Sequence, residues 1–157
     1  MASALGLAGC VLGPIEAAEE EPMYPPRIIL EKLYPPMEGI ITVRREDCER
    51  ITFKADSVFD RNKDDVLYVW WVLDWEGGDI STEAEKEAFI GKMGDEIRSG
   101  PQLDNTLNLS NQTDTFFDQH HSMTLFVRDR ILQDEEGQMD SYQWTFEVVP
   151  GGTYCDE

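Results

Sequence analysis

Eight consecutive residues, Val66-Leu67-Tyr68-Val69-Trp70-Trp71-Val72-Leu73, are apolar or aromatic without interruption. The run is rich in β-branched and aromatic side chains and is too short for a typical helix. A strand that is apolar on both faces belongs in the middle of a sheet, with one face in the core and the other partly covered. Asp74-Trp75-Glu76-Gly77-Gly78-Asp79 ends it with residues that break strands. The chain must therefore supply strands on both sides of this segment.

It does so with a period of two. Ile51, Phe53 and Ala55 alternate with Thr52, Lys54 and Asp56, which predicts a half-buried strand over 50–58. Met123, Leu125 and Val127 share one face of a second such strand. Tyr142, Trp144, Phe146 and Val148 share one face of a third. Gln133-Asp134-Glu135-Glu136-Gly137 reads as the polar hairpin loop between these two. Residues 103–110 and 112–118 read as weaker strands. Arg27-Ile28-Ile29-Leu30 starts a strand that Tyr34-Pro35-Pro36 interrupts, and Gly39-Ile40-Ile41-Thr42-Val43 resumes it. Proline confines such a strand to a sheet edge. A first strand broken between two sheets is common in immunoglobulin-like sandwiches.

One segment departs from this period. Thr82 and Glu85 have capping-box spacing, and Phe89, Ile90, Met93 and Ile97 recur at helical intervals. They predict a short amphipathic helix over 82–97, inserted between strands. The expected fold is mostly β: an immunoglobulin-like antiparallel β-sandwich over 27–157 with that helical insertion. Hydrophobic residues at 41% and aromatics at 10% are sufficient for its core.

Several of these segments carry a family resemblance. Ile51-Thr52-Phe53-Lys54-Ala55, the Asp/Asn-rich turn Asp60-Arg61-Asn62-Lys63-Asp64-Asp65, Tyr68-Val69-Trp70 and Met123-Thr124-Leu125-Phe126-Val127-Arg128-Asp129 resemble polycystic-kidney-disease-type and related immunoglobulin-like repeats. The resemblance spans Ile40–Val149. The Trp-Asp-Phe-Gly-Asp-Gly continuation of that family is replaced here by Trp71-Val72-Leu73-Asp74.

A second resemblance concerns location. Leu7-Ala8-Gly9-Cys10 resembles the lipobox of bacterial lipoproteins, in which small residues let an extended backbone enter the peptidase cleft. It implies a partial leader over 1–9, a diacylglycerol thioether on Cys10 and cleavage just before that residue. Residues 10–26, with Glu19-Glu20-Glu21 and Pro14, Pro22, Pro25 and Pro26, read as an acidic, semi-extended tether. The expected location is the bacterial cell envelope, with the membrane engaged through the lipid.

The chain has three cysteines. With Cys10 lipidated, Cys48 and Cys155 remain, and an even pair in an exported domain is most simply a disulfide. In the implied sandwich, the strand after Cys48 and the strand before Cys155 run antiparallel, so both cysteines fall at one pole. Two buried or free thiols in a cytosolic protein are the alternative.

Charge excludes one partner class. Against 13 basic residues stand 32 acidic ones, a formal net charge of -19. That field repels nucleic acid and anionic headgroups and attracts cations or a basic protein. Asp60, Asn62, Asp64 and Asp65 are the candidate ligands for Ca²⁺, a hard cation bound by oxygen. An Asx-stabilised turn accounts for the same residues and is preferred. His120 and His121 point to opposite faces of any strand and read as exposed loop residues. Trp71, Trp75 and Phe126 are candidates for an aromatic binding face, for a partner or carbohydrate, unless the 82–97 helix covers it; the cover is preferred. No nucleophile triad, phosphate loop or Cys-x-x-Cys motif is visible. The expectation is a non-enzymatic, lipid-anchored protein that binds another protein or serves structurally. A calcium- or carbohydrate-binding adhesion module is the alternative.

Overall fold

The computed structural model describes residues 24–36, 39–77, 94–129 and 137–155. The described strands are β1 (Arg27–Ile28), β2 (Leu33–Tyr34), β3 (Ile40–Arg44), β4 (Arg50–Ala55), β5 (Val58–Phe59), β6 (Tyr68–Leu73), β7 (Ile97–Arg98), β8 (Asp104–Asn108), β9 (His120–Arg128) and β10 (Met139–Val149). One sheet has the order β3-β10-β9-β6 and a second the order β2-β4-β8; β1, β5 and β7 form a small third sheet. The fold is the mostly β, immunoglobulin-like sandwich that the strand pattern predicts.

The broken first strand switches sheets. β2 pairs with β4, while β3 pairs with β10 on the other side. Proline cannot donate to a ladder, so Pro35 and Pro36 end one pairing before the next begins. The buried Trp144 indole donates to the Pro35 carbonyl at 2.9 Å and fixes the crossing point. One expectation needs amending here. The β3–β10 pair is parallel, although the other pairs within the sheets are antiparallel. β3 reaches β10 by crossing between sheets rather than by a hairpin, so nothing forces it to run the other way.

The core forms where alternation aims it. Ile51, Phe53 and Ala55 of β4 meet Met123, Leu125 and Val127 of β9 and Trp144, Phe146 and Val148 of β10 in one cluster. The Phe53 ring lies 5.6 Å from Trp144 and 5.3 Å from Phe146. Full burial of such side chains contributes about 1.5–3 kcal/mol each, which makes this cluster the main source of stability.

Two segments differ from expectation. Residues 112–118 are not a strand: a 3-10 turn occupies Asp114–Phe116, and Asp118 has φ 62°. Phe116 is buried against the core, so the apolar residues that suggested a strand anchor a corner instead. The predicted helix does not reach Ile97. That residue lies in β7, pairs with Phe59 and is 60% exposed, so it is not on a buried helical stripe. Gly94, at φ 98°, turns the chain into this strand. Residues 78–93, which carry most of the predicted helix, lie outside the described residues. So do the leader, the tether up to residue 23 and residues 130–136 of the hairpin loop.

The sandwich has two poles. At the upper one β4 ends and β6 begins, and the Asp60–Asp65 turn lies there. At the lower one β4 begins and β10 ends.

Candidate functional site

The lower pole holds the cysteines. Cys48 precedes β4 and Cys155 follows β10, and they form a disulfide with Cα atoms 5.5 Å apart. That lies within the roughly 4.4–6.8 Å range a disulfide permits. After β10 the chain turns through Pro150-Gly151-Gly152 and lays Thr153 and Tyr154 along the outer edge of β3. Gly152 sits against the Val43 carbonyl, where a Cβ has no room.

The upper turn is organised around a cation the sequence did not reveal. Arg98 of β7 is fully buried, and its guanidinium lies 3.1 Å from an equally buried Asp60 carboxylate. It also donates to the backbone carbonyls of Asn62 at 2.8 Å, Asp95 at 3.2 Å and Asp65. The second Asp60 oxygen accepts the Asn62 amide at 3.0 Å, which is the expected Asx turn. The Asn62 side chain accepts the Tyr24 amide at 3.1 Å. Burial raises the Asp60 carboxyl above its usual range, although the Asn62 amide and Arg98 pull it down. Of the candidate calcium ligands, Asp60 and the Asn62 side chain are thus engaged by protein groups. Asp64 and Asp65 are not gathered with them into an ion cage: among the described residues no group of three or more His, Cys, Asp or Glu is placed to hold a metal.

The aromatic face needs a correction in both membership and exposure. Trp71 packs with the main core, its ring stacked 5.7 Å from Trp144 and its indole donating to the Gln102 carbonyl at 2.9 Å. Trp70, its neighbour, points the other way and pairs with Phe126 across β9. Trp75 meets Phe126 edge-on at 5.0 Å. Trp71 is therefore separated from Trp75 and Phe126 by the thickness of the sheet. Trp70 is 2% exposed and Phe126 0%, so this face is not an open platform. Residues 82–93 of the helix predicted over 82–97 as its cover lie outside the described residues.

The histidines split as adjacent strand residues must. His120 is exposed, 3.5 Å from Glu147. His121 is buried rather than exposed as expected, because its ring stacks on Phe116 at 3.7 Å. Its Nδ1 lies 2.8 Å from an Asp74 carboxylate oxygen and its Nε2 2.7 Å from the Phe116 carbonyl. Both partners are acceptors, so the ring can donate to both only when doubly protonated. Asp74 sits at φ 53°, and its other oxygen accepts the Ser122 amide at 2.9 Å. A shallow cleft of about 380 Å³ opens beside Asp74, Glu76, His120 and Ser122. His121 also lines this cleft, and with both ring nitrogens engaged it clamps the corner.

Arg98 and His121 are the two structural residues that sequence reasoning missed. No local signal marks Arg98, which lies 38 positions from its partner Asp60 and follows a glycine-interrupted segment. For His121 the usable signal is strand parity, since it shares a face with Met123 and Leu125. No family model, curated protein or solved structure matches this chain. Among the described residues no helix is long and apolar enough to cross a membrane.

Proposed function

We propose that this chain is an exported, non-enzymatic module of the bacterial cell envelope, held to a membrane by a lipid on Cys10 and acting through another protein or as a structural element. The observation that carries this reading is the Cys48–Cys155 disulfide. Disulfides persist in oxidising compartments and are rare in reducing ones, so the pair supports export. The Leu7-Ala8-Gly9-Cys10 motif supports the anchor. A net charge of -19 favours a basic protein surface as partner and disfavours nucleic acid.

The adhesion alternative has less support. Its aromatic residues do not form one face, since Trp71 packs on the core and Phe126 is buried, and the Asp60–Asp65 turn closes on Arg98. Fractionation of a bacterium expressing the full chain, followed by intact-mass measurement, tests the leading reading. The expected product sits in the membrane fraction and begins at a lipidated Cys10, and Cys10→Ser releases it. A soluble, unmodified product that keeps Met1 overturns the anchor.

A further inference from the structure

We infer that the Cys48–Cys155 disulfide is the latch of a strand edge, and that opening it allows a second copy of the chain to pair there. β10 occupies one edge of β3. The other edge is filled by the chain's own last described residues. Thr153 and Tyr154 amides both donate to the Thr42 carbonyl, at 2.9 and 3.0 Å, and the Tyr154 carbonyl accepts from the Arg44 amide at 3.0 Å. The Thr42 and Thr153 hydroxyls lie 3.3 Å apart, and the Tyr154 ring lies 5.7 Å from Tyr34. Two donors share one carbonyl, so this ladder is short. The next residue, Cys155, is the one bonded to Cys48.

An unprotected edge is a template for another strand. The occupant that fits this edge is the segment already on it, so a second copy's Thr153-Tyr154 remakes the same bonds. Reciprocal exchange of that segment closes a two-fold dimer in which each edge keeps the same ladder. Pro150-Gly151-Gly152 is the hinge, and Gly151 at φ 70° already holds a turn that side chains disfavour.

The chemistry is thiol–disulfide exchange with a small dithiol. One dithiol thiolate attacks the half-buried Cys155 sulfur, and Cys48, which is buried, leaves as thiolate. The second dithiol thiol displaces Cys155. The dithiol becomes a cyclic disulfide, and its two electrons and two protons end on the two cysteines. A small disulfide such as oxidised glutathione later takes two electrons and two protons from each Cys48–Cys155 pair that forms, within one copy or between two.

The test uses the full chain carrying Cys10→Ser, so that only Cys48 and Cys155 can pair. Copies labelled with ¹⁴N and ¹⁵N are mixed in equal amounts, opened with dithiothreitol at high concentration, and reoxidised with oxidised glutathione. The linked Cys48–Cys155 peptide is then weighed after digestion. Exchange is expected to yield a dimer in which about half of the linked peptide carries one label from each copy. Tyr154→Pro, which keeps both cysteines but loses the edge amide, is expected to abolish that dimer. Linked peptide of single label only, in monomer at every concentration, overturns the inference. A dimer formed undiminished by the proline variant also overturns it, because the link is then thiol chemistry without strand pairing.

Discussion

The upper pole of the sandwich is held by a buried charge and the lower one by a covalent bond. At the upper pole Arg98 draws together Asp60 and the carbonyls of Asn62, Asp65 and Asp95. At the lower pole the Cys48–Cys155 bond and the His121 clamp fasten the ends of β3, β6 and β10. The two arrangements fail differently. A buried ion pair carries a large desolvation cost, so it stabilises only while every partner is present. A disulfide acts largely by restricting the unfolded chain, and the folded geometry around it can survive its loss.

Arg98→Leu should produce the largest loss, about 3–5 kcal/mol, because it leaves Asp60 buried without its counter-charge. Urea unfolding measures it. The double change Arg98→Leu with Asp60→Leu sharpens the point. Removing both charges should recover only part of the loss, since the Asn62 and Asp65 carbonyls still lack a donor. Full recovery would reduce the upper pole to a simple ion pair.

Replacing both Cys48 and Cys155 by Ala should cost roughly 2–5 kcal/mol while leaving the far-ultraviolet circular dichroism unchanged. If this variant loses more than Arg98→Leu, the ranking of the two poles is reversed. His121→Phe keeps the stack on Phe116 but leaves the Phe116 carbonyl without its donor. It should cost about 1–3 kcal/mol in thermal unfolding, with the loss confined to the lower pole in hydrogen exchange.

The smallest effect is a slope. The folded-state pKa of Asp60 is raised, so the folded protein holds this proton more tightly than the unfolded chain does. The resulting stability is complete below the unfolded value near 3.8 and is lost as pH rises through the raised folded value. Asp60→Asn cannot ionise. The stability of the natural protein relative to this variant should therefore fall as pH increases across that window. A rising difference would mean that Arg98 outweighs burial at this carboxyl.

Much of the lower pole is legible in the sequence, and little of the upper. Ile51, Phe53 and Ala55 announce their face because strand alternation is a local signal. The break at Pro35-Pro36 is local too. Placing those strands is enough to bring Cys48 and Cys155 to one end. Arg98 has no such signal: its role exists only after β5 and β7 pair and bring it to Asp60. The Trp70-Trp71 pair is hard to read for a different reason. A run apolar on both faces has no parity, so which indole enters the core is decided by Trp144 and Phe126 on strands elsewhere. Ile97 misleads because its spacing to Phe89, Ile90 and Met93 is helical, whereas the residue itself pairs with Phe59 in β7.

The disulfide also decides how the domain would respond to tension. It closes residues 48–155 into a covalent ring that cannot be drawn out while the bond is intact. Only the stretch ahead of the ring can yield, and within the described chain that is Tyr24–Asp47, whose pairings to the body include the short β1 and β2. Fully drawn out, it spans at most roughly 80 Å at about 3.3–3.6 Å per residue, after which the ring bears the load. A protein pulled by its ends in a force spectrometer should lengthen in one short step when oxidised and run out several times further when reduced. An oxidised chain that extends as far as the reduced one would show that the ring does not bear the load.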